Sequence, residues 1–282
     1  MDFIVWWQTL PSKMDPILLS IGSFSIYWYS TMYLVAFGVV YLLCRKKINN
    51  NEYTKLTLLE FEDLLSWCFI ALIIGARLGY VLFYNFEYYI DNPLEILLPF
   101  SIKNGVWKFT GIAGMSYHGG VIGVLIAIWL YARKKDLHLY TIADFLTPAI
   151  PLGYFFGRIG NFINGELWGS PSNLPWAMIF PDPSAGNIPR HPSQLYEAFF
   201  EGIVLFIILW WFTKTPRPVK AVSGLFLFCY GTIRFFVEFV RVPDQHIGYI
   251  VFDWLTMGQL LSIPMIIFGF LFLMMAYKKK TN

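Results

Sequence analysis

Arg77, His118, Asp144, Arg158, Glu197, Glu201, Arg234 and Glu238 all lie within stretches that are otherwise apolar. A planar guanidinium donates two parallel hydrogen bonds to a phosphate or carboxylate, so Arg77, Arg158 and Arg234 suit an anionic ligand. A histidine titrates near neutral pH and can take a proton from a nucleophile, which is the chemistry His118 offers. Residues three and four apart share a helix face, and this groups the candidates into stripes. Tyr230, Arg234, Glu238 and Arg241 form one, Arg77, Tyr80 and Tyr84 a second, and Gln194, Glu197 and Glu201 a third. For any one residue the plain alternative is an interhelical ion pair that only holds a bundle together, and for His118 a structural donor.

Two longer motifs surround these residues. Ser116-Tyr-His-Gly-Gly-Val-Ile-Gly-Val124 sets His118 beside Gly119 and Gly123, a GxxxG pair that lets another backbone approach closely. Gly157-Arg-Ile-Gly-Asn-Phe-Ile-Asn-Gly-Glu-Leu-Trp-Gly169 gathers Arg158, Asn161, Asn164 and Glu166, which suit the lining of a cavity and not a lipid-facing helix. The segment after it, from Ser170 to Gln194, is rich in proline, and residues 161–194 are expected to form an outer loop or lid.

The elements that must position these groups follow from composition. The 282 residues are 57% hydrophobic, 20% aromatic and only 14% charged, with mean hydropathy +0.54. A soluble domain carries about 25% charged residues, so the solvent for most of this chain is lipid. A bilayer core takes about 20 helical residues, and about seven such stretches recur. They run approximately Phe24 to Leu43, Leu64 to Tyr84, Ile112 to Ala132, Ile142 to Ile163, Leu195 to Thr213, Ala221 to Val240 and Met257 to Tyr277. The expected fold is therefore an all-α membrane protein, one polytopic domain over residues 1–282, since the short alternating strands of an outer-membrane barrel are missing. The opening MDFIVWWQTLPSKMDP lacks a secretory-signal pattern and reads as an interfacial segment with Trp6 and Trp7 at headgroup level.

Basic residues set the orientation. Arg45, Lys46, Lys47, Lys55, Arg133, Lys134, Lys135, Lys214, Arg217, Lys220 and Lys278 to Lys280 fall on one side, against Lys13, Lys103, Lys108, Arg190 and Arg241 on the other. Positive charge stays inside, which places the N-terminus outside and the C-terminus in the cytoplasm. On that layout every intramembrane ionisable residue but Asp144 falls in the outer half of the bilayer, where a phospholipid phosphate is the available anion. Asp144, at the start of the fourth span, reads as a charge favoured by a helix N-terminus. The net charge of +3 argues against nucleic acid as a partner. Cys44, Cys68 and Cys229 are far apart in apolar surroundings and read as packing. His118, His138, His191 and His246 show no metal-ligand spacing, so neither a metal nor another cofactor is expected.

HGGVIGV at 118–124, GRIGNFINGELWG at 157–169, RHPSQLYE at 190–197 and GTIRFFVEFVRVPD at 231–244 resemble, in order, the signature blocks of the prolipoprotein diacylglyceryl transferase family. YWYSTMYLVAFG around Tyr29 and GARLGYVLFYN around Arg77 agree with it. The resemblance implies a seven-span enzyme of the bacterial inner membrane, with its active site toward the outer, periplasmic leaflet. It implies transfer of the sn-1,2-diacylglyceryl group of phosphatidylglycerol to the lipobox cysteine of a prolipoprotein, with release of glycerol phosphate, as the first step of lipoprotein maturation. By the same resemblance Arg158 and Arg234 grip the phosphate and His118 is the candidate base for the thiol. Asn161, Glu166 and Gly169 shape the site, Glu238 orients an arginine, and Tyr29, Tyr80 and Tyr230 bond headgroup oxygens; Arg77 and Arg241 join them through their stripes.

Other classes fit the residues less well. A lipid transporter or flippase would carry charges along a path through both halves of the membrane, and no repeat relates the first and last spans. An intramembrane protease would need GxSxG with a histidine or paired aspartates, which are not there. A scaffold would leave the polar 157–169 block without a purpose.

Overall fold

The computed structural model describes residues 3–22, 24–53, 55–96, 98, 100–103, 106–109, 114–243, 248–251 and 254–278. Ile112, where the third span was expected to begin, Asp244 and His246, and Lys279 and Lys280 of the basic tail lie outside them. In chain order the helices are α1 (Phe3–Gln8), α2 (Trp28–Asn49), α3 (Leu58–Tyr84), α4 (Phe86–Asp91), α5 (Tyr117–Lys134), α6 (Leu139–Leu146) and α7 (Ile150–Ile163). After these come α8 (Ser193–Glu197), a π-helical segment (Ala198–Val204), α9 (Leu205–Phe212), α10 (Ala221–Val237) and α11 (Met257–Tyr277). Among the described residues three antiparallel hairpins, unforeseen in the sequence, join them: β1 (Ile17–Ile21) with β2 (Phe24–Tyr27), β3 (Phe100–Lys103) with β4 (Val106–Phe109), and β5 (Tyr249–Val251) with β6 (Leu255–Thr256).

The protein is thus mostly helical. By length and composition, five helices among the described residues can cross a membrane: Trp28–Asn49, Leu58–Tyr84, Ser193–Phe212, Ala221–Val240 and Met257–Tyr277. Leu34 on α2 is 73% exposed, and Phe268 and Met274 on α11 are more than half exposed. That suits hydrocarbon, where an exposed leucine or phenylalanine carries no cost and only the backbone must be satisfied internally. The expected fourth span, Ile142 to Ile163, is corrected to two helices with a turn at 147–149 between α6 and α7. Pro148 has no N–H to continue the ladder, and Pro151 sits in the first turn of α7, where a missing donor costs nothing.

Two compact units make up the chain. One comprises Met1–Lys47 with Ala143–Asn282, the other Ile48–Ile142. In the second unit α3 and α5 pack backbone to backbone. A Cβ on Gly119 would lie 2.3 Å from the Gly75 carbonyl oxygen and 2.8 Å from Gly79 Cα, and one on Gly123 2.2 Å from the Ala71 oxygen. Thr57 closes the start of α3 through a capping box with Glu60, and Ser116 caps α5 by accepting from the Gly119 N–H. At the far end Lys135 pairs with Glu60 at 2.8 Å.

In the first unit the role expected of Asp144 is corrected. It sits in the last turns of α6, and its carboxylate accepts from the backbone N–H groups of Lys220 at 2.7 Å and Ser223 at 2.8 Å. It also accepts from the Ser223 hydroxyl. Asp144 therefore caps α10 from another helix, and holds Lys220 in the left-handed conformation (φ 78°) that opens that helix.

Because the α3–α5 contact has no room for a side chain, Gly119→Ala is expected to lower the thermal midpoint in detergent by an amount matching about 1–3 kcal/mol or more. Gly38→Ala on α2, where no atom lies within 4 Å of the added carbon, should leave it nearly unchanged.

Candidate active site

In the first unit, charged residues from α7, α8, the π segment and α10 meet in one cluster. Tyr154 and Arg158 stand one turn apart on α7, Glu197 ends α8, Glu201 lies on the π segment, and Arg234 and Glu238 close α10. Glu197, whose side chain is fully buried, is the hub. Its Oε2 lies 2.8 Å from Arg158 Nε and 3.3 Å from Arg234 Nη1, and its Oε1 lies 3.5 Å from Arg241 Nη1. The Tyr154 hydroxyl donates to Glu197 Oε2 at 3.0 Å and accepts from Arg158 Nε at 2.7 Å. Arg234 Nη2 also reaches Glu238 Oε2 at 2.7 Å, and Glu238 Oε1 accepts from the Thr256 hydroxyl at 3.0 Å. A Cβ on Gly258 would fall 2.5 Å from Glu238 Oε1, so glycine there leaves room for the carboxylate.

The polar block after α7 extends this network. Arg158 Nη1 donates to Asn161 Oδ1 at 3.3 Å, and Asn161 Nδ2 donates to Glu166 Oε1 at 2.8 Å. The buried Gln194 side chain donates to the Glu166 carbonyl. Gly169 pairs with Arg241 in an isolated β-bridge and donates to the His191 carbonyl at 2.9 Å. A Cβ at Gly169 would lie 2.4 Å from the Val240 carbonyl oxygen, so only glycine permits that approach. Tyr29 on α2 packs against Gly160, 3.1 Å from where a Cβ would stand, and shares a 3.0 Å hydroxyl contact with Tyr33. Tyr230 meets Tyr154 edge to face at 6.1 Å.

Residues 164–192 share a small core with α7, α8 and the N-terminal segment. Phe162, Met178, Phe180 and Ala185 are buried together, with Trp7, Leu10, Met14, Trp168 and Leu195 packed against them. Arg190 donates from Nε to the Ala185 carbonyl at 2.7 Å and covers the Trp168 ring at 4.3 Å. The Gln8 carbonyl accepts from Ile179 N–H, which ties α1 to the same segment. Burial holds the His191 imidazole below its usual pKa, and its Nδ1 lies 3.2 Å from the Tyr196 hydroxyl.

Of the residues singled out in the sequence, Arg158, Arg234, Asn161, Glu166, Gly169, Tyr29, Tyr230, Glu238 and Arg241 belong to this unit and to the contacts just described. Arg77, Tyr80 and His118 belong to the other. There Arg77 is buried, donates from Nε to the Ile96 carbonyl at 2.8 Å and from Nη1 to the Gly114 carbonyl at 3.3 Å, and lies over the Tyr89 ring. The Tyr80 ring fills the space beside Gly114, whose φ is +83°. His118 is exposed in the first turn of α5, two residues past the Ser116 cap. Tyr154 and Thr256 were missed in the sequence. The spacing of Tyr154, four before Arg158, was the available signal; Thr256 had only its place three before Gln259 in a capping box.

Apolar spans closed around an arginine–glutamate cluster define a multi-pass helical membrane protein with a polar interior. Comparison with known proteins then gives the particular family: the family model described as prolipoprotein diacylglyceryl transferase matches residues 16–275, and the chain belongs to that family. A phosphatidylglycerol–prolipoprotein diacylglyceryl transferase of Methylococcus capsulatus is 48% identical over 268 residues, covering 95% of this chain and 97% of its own. The proteins of the same name from Pseudomonas aeruginosa and Bordetella parapertussis are 47% identical over 267 residues and 49% identical over 257. The alignments cover 95% of both chains in the first case, and 91% of this chain and 93% of its relative in the second.

Tyr154→Phe, which removes one hydroxyl joining Arg158 to Glu197, is expected to cost about 1–3 kcal/mol of stability. Glu197→Leu takes the shared counter-charge from three arginines and should cost more, about 3–5 kcal/mol. Thermal unfolding in detergent orders the two, and equal losses would contradict Glu197 as the hub.

Proposed function

We propose that this chain transfers the sn-1,2-diacylglyceryl group of phosphatidylglycerol to the lipobox cysteine thiol of a prolipoprotein, releasing glycerol phosphate. The observation that carries the reading is the buried cluster of Arg158, Arg234 and Glu197 inside a chain matched by the family over nearly its whole length. In this reading the chain spans the bacterial inner membrane seven times. The five long helices, α5, and the α6–α7 pair provide those spans. The N-terminus lies outside, the C-terminus in the cytoplasm, and the site opens to the outer leaflet, as the distribution of lysine and arginine favours.

The reaction makes two electrostatic demands. A thiol must become a thiolate before it attacks carbon, and the phosphate that leaves gains negative charge. Arg158 and Arg234 meet the second demand. Both are held in place before lipid arrives by Glu197, and Arg158 also by Tyr154 and Asn161, so little reorganisation accompanies the charge shift. Among the described residues, no hydrogen bond occupies Nη2 of Arg158. Glu238 orients Arg234, and Arg241 steadies Glu197. Asn161, Glu166 and Gly169 shape the wall, with Tyr29, Tyr80 and Tyr230 toward the headgroup. His118 takes the thiol proton. Arg77 serves by fixing the segment that leads into α5. Residues 161–194 act as a cover that excludes water, and the core they share with the N-terminal segment suits a fixed roof better than a swinging flap.

The test is transfer in detergent from phosphatidylglycerol to a lipobox peptide and its Cys→Ser control, with peptide mass and released glycerol phosphate followed together. A gain of one diacylglyceryl group on the cysteine peptide alone, abolished in a folded Arg158→Ala or Arg234→Ala variant, is the expected result. His118→Gln should spare lipid binding and slow the thiol step; a fully active variant removes His118 from the mechanism. Lipid binding without transfer by folded wild type would favour a headgroup-binding transporter instead.

A further inference from the structure

Glu201 is the carboxylate that the cluster compensates least. Its side chain is fully buried, it faces the Tyr154 hydroxyl without a close hydrogen bond to either oxygen, and its ion-pair partner, Arg234 Nη1, stands 3.8 Å from Oε1. Glu197, four residues earlier, holds three arginines and a tyrosine hydroxyl, and Glu238 holds Arg234 at 2.7 Å and a threonine hydroxyl. The charged and titratable groups facing Glu201 are Tyr154 and Arg158 from α7, Glu197 from α8 and Arg234 from α10.

The formal charges of the cluster already cancel. Arg158, Arg234 and Arg241 stand against Glu197, Glu201 and Glu238. A phosphodiester held by Arg158 and Arg234 adds a further negative charge and competes for Arg234, the arginine paired with Glu201. A buried carboxylate without a counter-charge is costly, and taking up a proton removes that cost. Glu197 and Glu238 keep their partners through Arg241, Tyr154 and Thr256, so the burden falls on Glu201.

We propose that Glu201 takes up a proton when the anionic phosphate of phosphatidylglycerol enters the site, so that lipid binding here is proton-linked. The inference rests on the reading that Arg158 and Arg234 hold the phosphate. Its sign follows directly. Uptake on binding means that affinity is greatest at low pH, and that it falls as pH rises through the range where Glu201 is ionised in the empty site.

The experiment titrates the full-length protein in detergent with phosphatidylglycerol mixed micelles, in weak buffer with a pH-indicating dye. Thermal melts report on folding. Wild type should take up about one proton per lipid bound, with affinity falling up to roughly tenfold per pH unit above the titration of free Glu201. Glu201→Gln, equal in size and neutral, should bind lipid with no proton uptake and a flat pH profile, whereas Glu87→Gln, at an exposed position outside the cluster, should retain the uptake. Binding by wild type without proton uptake, or undiminished uptake in Glu201→Gln, overturns the proposal and leaves the transferase reading intact. Should Glu201→Gln fail to fold, the wild-type proton count and its persistence in Glu87→Gln decide the matter. Failure of wild type to bind the lipid at all defeats the phosphate-holding roles of Arg158 and Arg234, and this inference with them.

Discussion

A charge inside a bilayer must find its counter-charge within the protein, and most of the first unit is arranged around that requirement. An arginine, lysine or aspartate at mid-span costs about 2.5–3.5 kcal/mol on insertion scales. Arg158 and Arg234 come from different helices and meet on the single buried carboxylate of Glu197. The helices therefore cannot slide past one another without separating ions in a medium that solvates neither. Tyr154 fastens Arg158 to Glu197, Thr256 and Gly258 seat Glu238, and Gly169 brings the polar block beside Arg241. Each of these smaller features has its reason in the ion cluster.

The second unit obeys the same rule with different means. Arg77 has carbonyl oxygens and an aromatic face for partners, so one buried cation fixes the turns that lead out of α3 and into α5. Where no polar group is available, glycine substitutes. Between α3 and α5 the backbones approach until no Cβ fits, and dispersion takes the place of the hydrophobic effect, which lipid cannot supply between helices.

Five of the expected spans were legible because apolar runs of bilayer length have no other reading, and those helices end no more than six residues from where hydropathy put them. The ionisable residues were legible because each is expensive in that setting. The rest escaped for physical reasons. Tyr154 carries no penalty that would mark it among 17 tyrosines. Pro148 could have meant a kink or a break, and only the turn at 147–149 decides. The charge of Asp144 said that a helix N-terminus was near, not that it belonged to α10. The hairpins are too short for alternation to register.

The π-helical segment has a consequence for how the third of the five long helices, Ser193–Phe212, is built. Glu197, Glu201, Leu205 and Leu209 are all buried and recur every four residues. In an ordinary α-helix, at 3.6 residues per turn, a row with that step winds away by roughly 40° per step, or about a third of a turn from first to last. The wider turns of Ala198–Val204 slow the rotation through the middle of the row and bring it back nearly straight. One unbroken line then joins a carboxylate end, matched to the arginines, with an aliphatic end, matched to Val222 and the surrounding apolar side chains. A helix of uniform pitch would have to choose between them, turning either the glutamates or the leucines toward the lipid.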